Sequence, residues 1–310
     1  VKVSTIIPTY NRSGELLATV ESALAQTYPD FEVIVVNDGS DDDTREVAEG
    51  IDDPRVTVIH HPHNRGVAAA RNTGIGAARG VLLAFLDDDD RWMPDKLAKQ
   101  VPLFADPAIG LVYCGVAIVD ERGKVAWQVL PTRRGDIYKA LLFKNYPLTG
   151  SVVVTRRACF EQLGTFDQKL PPFEDHDMWL RIARRYRVDF VPEALTLFAG
   201  FWHDRLNRPS QAVHVYHRVI EKLETYEYPS LLCRRRVRAY RHYTLATMHG
   251  ANGDARLALQ SYFRSLAIWP GNPKAWIGLM LAVAGQRASR ALTRLKARLL
   301  ALVNGVRASR

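Results

Sequence analysis

Four carboxylates in a row, Asp87-Asp88-Asp89-Asp90, follow the apolar run Val81–Leu86 and lead into Arg91-Trp92. Carboxylates this close raise one another's pKa unless positive charge sits among them, and a hard divalent cation bridging to phosphate supplies that charge. An acid run at a strand end is therefore a candidate metal site. The same four residues would serve equally as a solvated turn capping the next helix, so their meaning rests on their surroundings.

Three further polar segments follow apolar runs in the same way. Pro8-Thr9-Tyr10-Asn11 comes after Val3–Ile7, Asn37-Asp38-Gly39-Ser40 after Glu32–Val36, and His61 to Gly66 after Val56–His60. Helical patterns near 14–25, 43–50 and 67–78 separate these runs, a βαβ spacing that predicts a parallel sheet with crossover helices. In such a sheet the ligand lies beyond the carboxyl ends of the strands. All four polar segments then face one crevice, and together they favour a polar site over four unrelated turns. His60, His61 and His63 suggest a metal cluster on paper, but their place beside Asn64 and Gly66 favours a solvated turn.

Familiar phosphate loops are missing. No GxxxxGK(S/T) run is present, and the first strand leads into Pro-Thr-Tyr-Asn instead of GxGxxG, which argues against P-loop and dinucleotide binding. The glycines at Gly74, Gly76 and Gly80 follow a helix and lack the fingerprint's final spacing.

With 310 residues, 47% of them hydrophobic and 24% charged, the chain is long enough for one substantial core and a smaller second unit. Cys114, Cys159 and Cys233 are odd in number and widely spaced, so neither a disulfide framework nor a zinc site is suggested and a reducing cytosol is expected. No secretory signal or membrane span is expected, since the longest apolar stretch, 276–285, is far too short. The net charge of +9 is unevenly placed: from residue 209 onward 17 Lys and Arg face 4 Asp and Glu, whereas residues 1–208 hold 25 against 29. A basic nucleic-acid-binding surface over the first part is excluded on that count, and no nucleic-acid partner is expected.

With these residues in view the chain resembles family 2 glycosyltransferases of the GT-A fold. The resemblance rests on Ser4-Thr5-Ile6-Ile7-Pro8-Thr9-Tyr10-Asn11-Arg12, Val35-Val36-Asn37-Asp38-Gly39-Ser40, Asn64-Arg65-Gly66 with Ala70-Arg71-Asn72, Phe85 to Asp90, and Phe173-Glu174-Asp175-His176-Asp177. It implies an α/β catalytic domain over 1–205, a GT-A Rossmann-like and mostly parallel sheet flanked by helices, followed by an all-α extension over 206–310.

The resemblance also implies roles. A nucleotide-diphosphate sugar, UDP-linked by the family pattern, would be the donor, with Pro8, Thr9 and Tyr10 lining the base and ribose pocket, Asp38 accepting from a base N–H and Arg71 meeting phosphate or base. Asp-x-Asp aligns with Asp87 and Asp89; Asp88 would contact ribose or metal, Asp89 would be the main ligand of Mg²⁺ or Mn²⁺, Asp87 would be structural, and Asp90 would cap the helix near Pro94. Asp175, at a helix start that favours an ionised carboxylate, would be the general base, with Glu174 or Asp177 orienting it or holding the acceptor. His203 falls where relatives carry a mobile loop toward the diphosphate, as a lid or metal contact. The implied reaction is a single in-line displacement at the anomeric carbon with inversion, onto a hydroxyl of a saccharide or lipid-linked acceptor in cell-surface polysaccharide or glycolipid synthesis.

After Pro209 helical periodicity takes over. The stretch 253–279 resembles tetratricopeptide-like repeats too few to stand alone. Ala288, Ala291, Leu295, Leu299 and Leu302 form an apolar stripe beside Arg287, Arg290, Arg294 and Arg298. Such a helix would lie on an anionic membrane surface, peripheral at the inner face of the plasma membrane, or dock on its own protein with a solvated basic face. The rival readings fit less well: a phosphohydrolase would need its nucleophilic Asp after the first strand, where Pro8-Thr9-Tyr10 stands, and a nucleotidyltransferase a glycine-rich basic loop there. A non-catalytic helical scaffold leaves the N-terminal motifs unused.

Overall fold

The computed structural model describes residues 2–120, 123–170, 172–198 and 209–283. Two compact units divide the chain, Val1–Arg208 and Pro209–Arg310.

The first unit opens with β1 (Val3–Thr9), α1 (Ser13–Leu24), β2 (Phe31–Asn37), α2 (Thr44–Glu49), β3 (Val56–His60), α3 (Val67–Ala77) and β4 (Leu82–Phe85). β5 (Arg91–Trp92), α4 (Lys96–Gln100), β6 (Ile109–Val119), β7 (Val125–Val129), α5 (Tyr138–Leu141), β8 (Val153–Arg156), α6 (Arg157–Leu163), α7 (Glu174–Arg185) and β9 (Arg187–Phe198) complete it. β1 and β2 are buried at every position, because helices cover both faces of a parallel sheet and their strands read as continuous apolar runs. The nine-stranded sheet runs β3-β2-β1-β4-β8-β6-β9-β5, with β7 on β6. It is parallel through β3, β2, β1 and β4, as the spacing predicts. Beyond them it is mixed: β8 is antiparallel to β4 and β6, β6 and β9 are parallel, and β5 and β7 are antiparallel additions.

Strand order reverses at β1, whose neighbours are β2 and β4, and a ligand crevice opens at such a switch point. The segments after β1 and β4 are Pro8 to Arg12 and the acid run, so topology alone brings them together. The backbone of the acid run is then pinned by α1: the Thr19 hydroxyl is 2.9 Å from the Asp88 carbonyl and 3.0 Å from that of Asp90, and the Trp92 N–H donates to Ser22 Oγ.

An aromatic cluster sets the position of α7. Phe85 at the end of β4, Phe160 of α6, Phe166 and Trp179 of α7 lie with ring centroids 5.2 to 6.1 Å apart, a spacing at which tilted and edge-on rings attract. Burying Trp179 here directs the acidic first turn of α7 toward the end of β4.

Lys96 is fully buried. Its ammonium donates to Gln100 Oε1 at 2.7 Å and sits 4.1 Å over the Trp92 ring. Gln100 in turn donates to the carbonyls of Val112 and Val152, and Trp92 Nε1 donates to that of Ser151, so this polar insert braces the segment 149–152. No side chain caps α4, whose N-cap is Asp95. Asp90, expected as that cap, is instead fully buried in the turn, with its N–H bonded to the Asp87 carbonyl.

The second unit contains α8 (Pro209–Glu224), α9 (Leu231–Ala251), α10 (Ala255–Ile268) and α11 (Pro273–Val283). Ala246, Ala258, Tyr262, Leu266, Ala275 and Leu279 form its core. Gly278 lets α11 approach α10, since a Cβ there would lie 2.4 Å from the Tyr262 ring. Among the described residues no helix is long and apolar enough to cross a membrane. The amphipathic stripe from Ala288 to Leu302 lies outside the described residues.

Burial pulls the Lys96 ammonium down from 10.5 to about 8. Between those values the unfolded chain binds the extra proton, so this lysine's contribution to stability rises with pH across that window. Urea titrations of wild type and Lys96→Met from pH 7 to 10.5 should show wild type gaining on the variant as pH rises, by roughly 3 kcal/mol at most. A difference independent of pH would mean that the ammonium is solvated.

Candidate active site

A cleft of about 240 Å³ opens at the switch point, lined by Pro8, Arg12, Val67, Arg71, Asp87, Asp88, Asp89, Thr149, Gly150, Pro172, Glu174 and Asp175. Residues from both ends of the first unit's sequence thus meet in one place. Of the sequence-predicted site residues it gathers Pro8, Arg71, Asp88, Asp89, Glu174 and Asp175.

The acid run divides by direction. Asp87 points inward: its carboxylate takes Arg71 Nη2 and the Thr149 hydroxyl, and its N–H donates to Ser151 Oγ. Asp88 and Asp89 line the cleft. Burial pushes Asp88 up to about 7, helped by the charges of Asp89 and Asp87 and opposed by the Thr9 hydroxyl and Arg12. Its carboxylate also accepts from the Tyr10 N–H at 3.3 Å. Tyr10 itself keeps 40% of its surface exposed, leaving its ring free to stack, whereas Thr9 is buried.

Arg71 does something other than expected. Only 3% exposed, its guanidinium is spent on Asp87 and, at 2.7 Å, on Glu174 Oε1, and it lies over the Phe166 ring. Three carboxylates, Asp87, Glu174 and Asp175, hold its proton firmly despite the burial. A group so committed bridges the end of β4 to the start of α7 and has little left for a donor phosphate. Arg12, on the cleft wall, is the cation better placed for that contact, and sequence reasoning named it only as part of a motif.

Glu174 is buried, with Oε2 making no hydrogen bond. Asp175 is part-buried, and Asn145 Nδ2 donates to its Oδ2 at 3.3 Å. Asp177 is turned away. Its carboxylate takes Arg181, which also donates to the carbonyls of Leu163, Gly164 and Thr165, so Asp177 braces the segment before α7 and does not line the cleft.

Asp38 and His61 also depart from expectation. The Asp38 carboxylate, 2% exposed, accepts from His61 Nδ1 at 2.6 Å, from the Arg65 N–H and from the Gly66 N–H at 2.7 Å. These donors leave no free face for a base N–H; the residue instead ties the β2 turn to the loop entering α3. His61, which also reaches Thr73 Oγ1, is a buried bridge and not part of a solvated turn. Gly39 (φ +71°) allows the closeness, since a Cβ there would meet the His63 backbone at 2.4 Å. Thr149 and Asn145 are site residues that sequence reasoning missed. The one local sign of them is Leu148, held at φ +67°, the kind of backbone strain that clusters at functional sites. His203 lies outside the described residues.

Among the described residues no three His, Cys, Asp or Glu side chains form a ready metal cage. Asp88 and Asp89, both on the cleft wall, would suit a hard cation that keeps most of its shell for phosphate and water.

A switch-point crevice with crowded carboxylates on one strand end and an acidic helix start beside it is the arrangement expected of a GT-A type transferase. The family model described as "Glycosyl transferase family 2" matches residues 4–164, and the chain belongs to that family. An uncharacterized glycosyltransferase of Rickettsia prowazekii is 32% identical over 200 residues, and the match spans about 62% of each chain. The Escherichia coli UDP-Glc:alpha-D-GlcNAc-diphosphoundecaprenol beta-1,3-glucosyltransferase WfgD is 32% identical over 189 residues, 61% of this chain and 72% of that one. In fold the chain is similar to S. aureus TarS 1–349 in complex with UDP-GlcNAc, with a TM-score of 0.66 at 17% identity over 91% of this chain and 90% of that one. It is also similar to the mannosyltransferase PcManGT of Pyrobaculum calidifontis in complex with GDP-Man and Mn²⁺, with a TM-score of 0.61 at 24% identity over 96% and 85%.

Removing the Arg71 charge strands two buried carboxylates, so Arg71→Ala should cost about 3 to 5 kcal/mol in a denaturant titration. Combining Arg71→Met with Asp87→Asn and Glu174→Gln should restore part of that loss. A cost below about 1 kcal/mol would mean that solvent reaches the bridge.

Proposed function

We propose that the chain transfers a sugar from a nucleotide-diphosphate sugar, in the first instance a UDP-sugar, to a hydroxyl of a saccharide carried on a lipid, in the assembly of a cell-surface polysaccharide or glycolipid. The single observation that carries the reading is the cleft in which Asp88 and Asp89 of the β4 end and Asp175 of the α7 start line one cavity. The UDP complex of a neighbour in fold and the lipid-linked substrate in a relative's name support the choice of donor and acceptor.

Pro8 and the exposed Tyr10 ring would hold the base and ribose, and Arg12 the diphosphate. Asp89, with Asp88, would hold Mg²⁺ or Mn²⁺, which when bound neutralises charge on the departing nucleoside diphosphate. Asp175, steadied by Asn145, would take the proton from the acceptor hydroxyl as its oxygen attacks the anomeric carbon from the face opposite the leaving group. The configuration inverts and the carboxyl then loses its proton to solvent. Glu174, locked to Arg71, orients Asp175. His203, if it reaches the diphosphate, would close the site. The basic C-terminal stripe would hold the protein at an anionic membrane surface on the cytoplasmic side.

A panel of UDP- and GDP-sugars, read as nucleoside diphosphate release with and without EDTA, tests the reaction. A UDP-sugar should turn over with acceptor present and lose turnover in EDTA, and no turnover or binding of any nucleotide sugar would remove the proposal. Asp175→Asn should cut transfer by about 10²- to 10⁴-fold while sparing UDP binding. Asp89→Ala should weaken both.

A further inference from the structure

The first unit carries more acids than bases, yet residues 130–150 reverse that balance, with Arg133, Arg134, Lys139 and Lys144 against Asp136 alone. Arg134 is neutralised by Asp189 and stacks on Phe190. Arg133 and Lys144 are different: both are exposed, and neither makes an ion pair among the described residues. Instead both lie over one ring, with the Arg133 guanidinium 5.8 Å and the Lys144 ammonium 5.6 Å from the Tyr146 centroid.

This pair is held in place and held close to the candidate base. Between Lys144 and Tyr146 stands Asn145, the residue that donates to Asp175. The Arg133 backbone is fastened to β6, where the Tyr113 hydroxyl donates to its carbonyl at 2.8 Å and accepts from its N–H. Lys144 follows α5, and α5 is tied to α7 through His176 Nε2 and the Leu141 carbonyl at 2.7 Å. A ring's face attracts a cation but leaves the outer N–H groups of a guanidinium or ammonium free to donate. Two such cations, each fixed by the same ring, form a preorganised receptor for a doubly charged, oxygen-rich group.

We infer that Arg133 and Lys144, clamped on Tyr146, bind the phosphate or diphosphate of the acceptor and so bring its sugar hydroxyl to Asp175. The inference rests on the proposed transfer reaction and adds to it an anion site separate from the donor cleft. It commits to an acceptor whose sugar is linked through phosphate, the linkage of a polyprenyl-type carrier, over a neutral oligosaccharide. Free inorganic pyrophosphate shares the chemistry and is an arm of the test.

The test uses the full chain saturated with UDP and Mn²⁺, so that the donor cleft is filled. Binding of undecyl diphosphate, inorganic pyrophosphate and neutral undecyl β-glucoside is followed by calorimetry in wild type, the double variant Arg133→Gln/Lys144→Gln, and Lys124→Gln as a control for lost surface charge. Thermal unfolding midpoints matching wild type confirm that the variants fold. Undecyl diphosphate should bind about tenfold more weakly to the double variant than to wild type and Lys124→Gln, and the neutral glucoside should bind all three alike. Equal diphosphate binding in the double variant, an equal loss for the glucoside, or a site that takes pyrophosphate but not the alkyl diphosphate would overturn the inference. Failure to bind UDP at all would instead defeat the transfer reading on which it stands.

Discussion

Everything in the cleft depends on one buried guanidinium. Arg71 spans from Asp87 at the end of β4 to Glu174 at the start of α7, two elements 103 residues from Arg71 in one case and 16 in the other. Burying three charges is expensive unless each keeps its partner, so the bridge tolerates little drift. Asp87 in turn takes Thr149 and Ser151, and the segment they belong to is braced by Trp92 and Gln100. A chain of buried polar contacts therefore runs from Lys96 through the cleft wall to Glu174, the neighbour of the candidate base in sequence. The paired members of this network hold the ends of β4 and α7 together, and rigidity is what two carboxylate groups from distant elements need in order to act on one substrate.

The four-acid run acquires its meaning from this frame. Asp87 and Asp90 face inward and fix the turn, one through Arg71 and the other by full burial beside Thr19. With both ends fixed, Asp88 stays in the cleft wall, where burial first and the neighbouring charges of Asp89 and Asp87 after it push it up to about 7. The structural part of the run rests on the bonds of Asp87 to Arg71 and Thr149 and on the burial of Asp90, and not on helix capping.

The parallel half of the sheet was readable because its strands are buried on both faces and appear as unbroken apolar runs. β5 has two residues and β7 is largely exposed, so neither leaves such a trace. Site residues divide along a similar line. Asp88, Asp89 and Asp175 were named through the family's motifs, and the structure gathers all three on one cleft. Arg71 could not be read correctly, since its partners are remote in sequence; the buried Ala68-Ala69-Ala70 before it was the available sign that this face of α3 points inward. Asp38 misled for the opposite reason. A turn motif gives the carboxylate its place but not its partners, and those are His61 and two loop amides supplied by the entry to α3.

Charge explains why these parts belong together. Asp87, Asp88, Asp89, Glu174 and Asp175 line the cleft against Arg12 and Arg71, so acids outnumber bases even before a ligand enters. A diphosphate carrying its own negative charge would be repelled by such walls in a site of reduced dielectric. The residues that would repel it are also those that would attract a divalent cation, so under the proposed reaction the cleft would favour an anion accompanied by its counter-ion over the bare anion. Arg71 pairs with the inner carboxylates Asp87 and Glu174 and leaves Asp88 and Asp89 to the cleft. Charge balance of this kind would supply specificity through what it excludes as much as through what it holds.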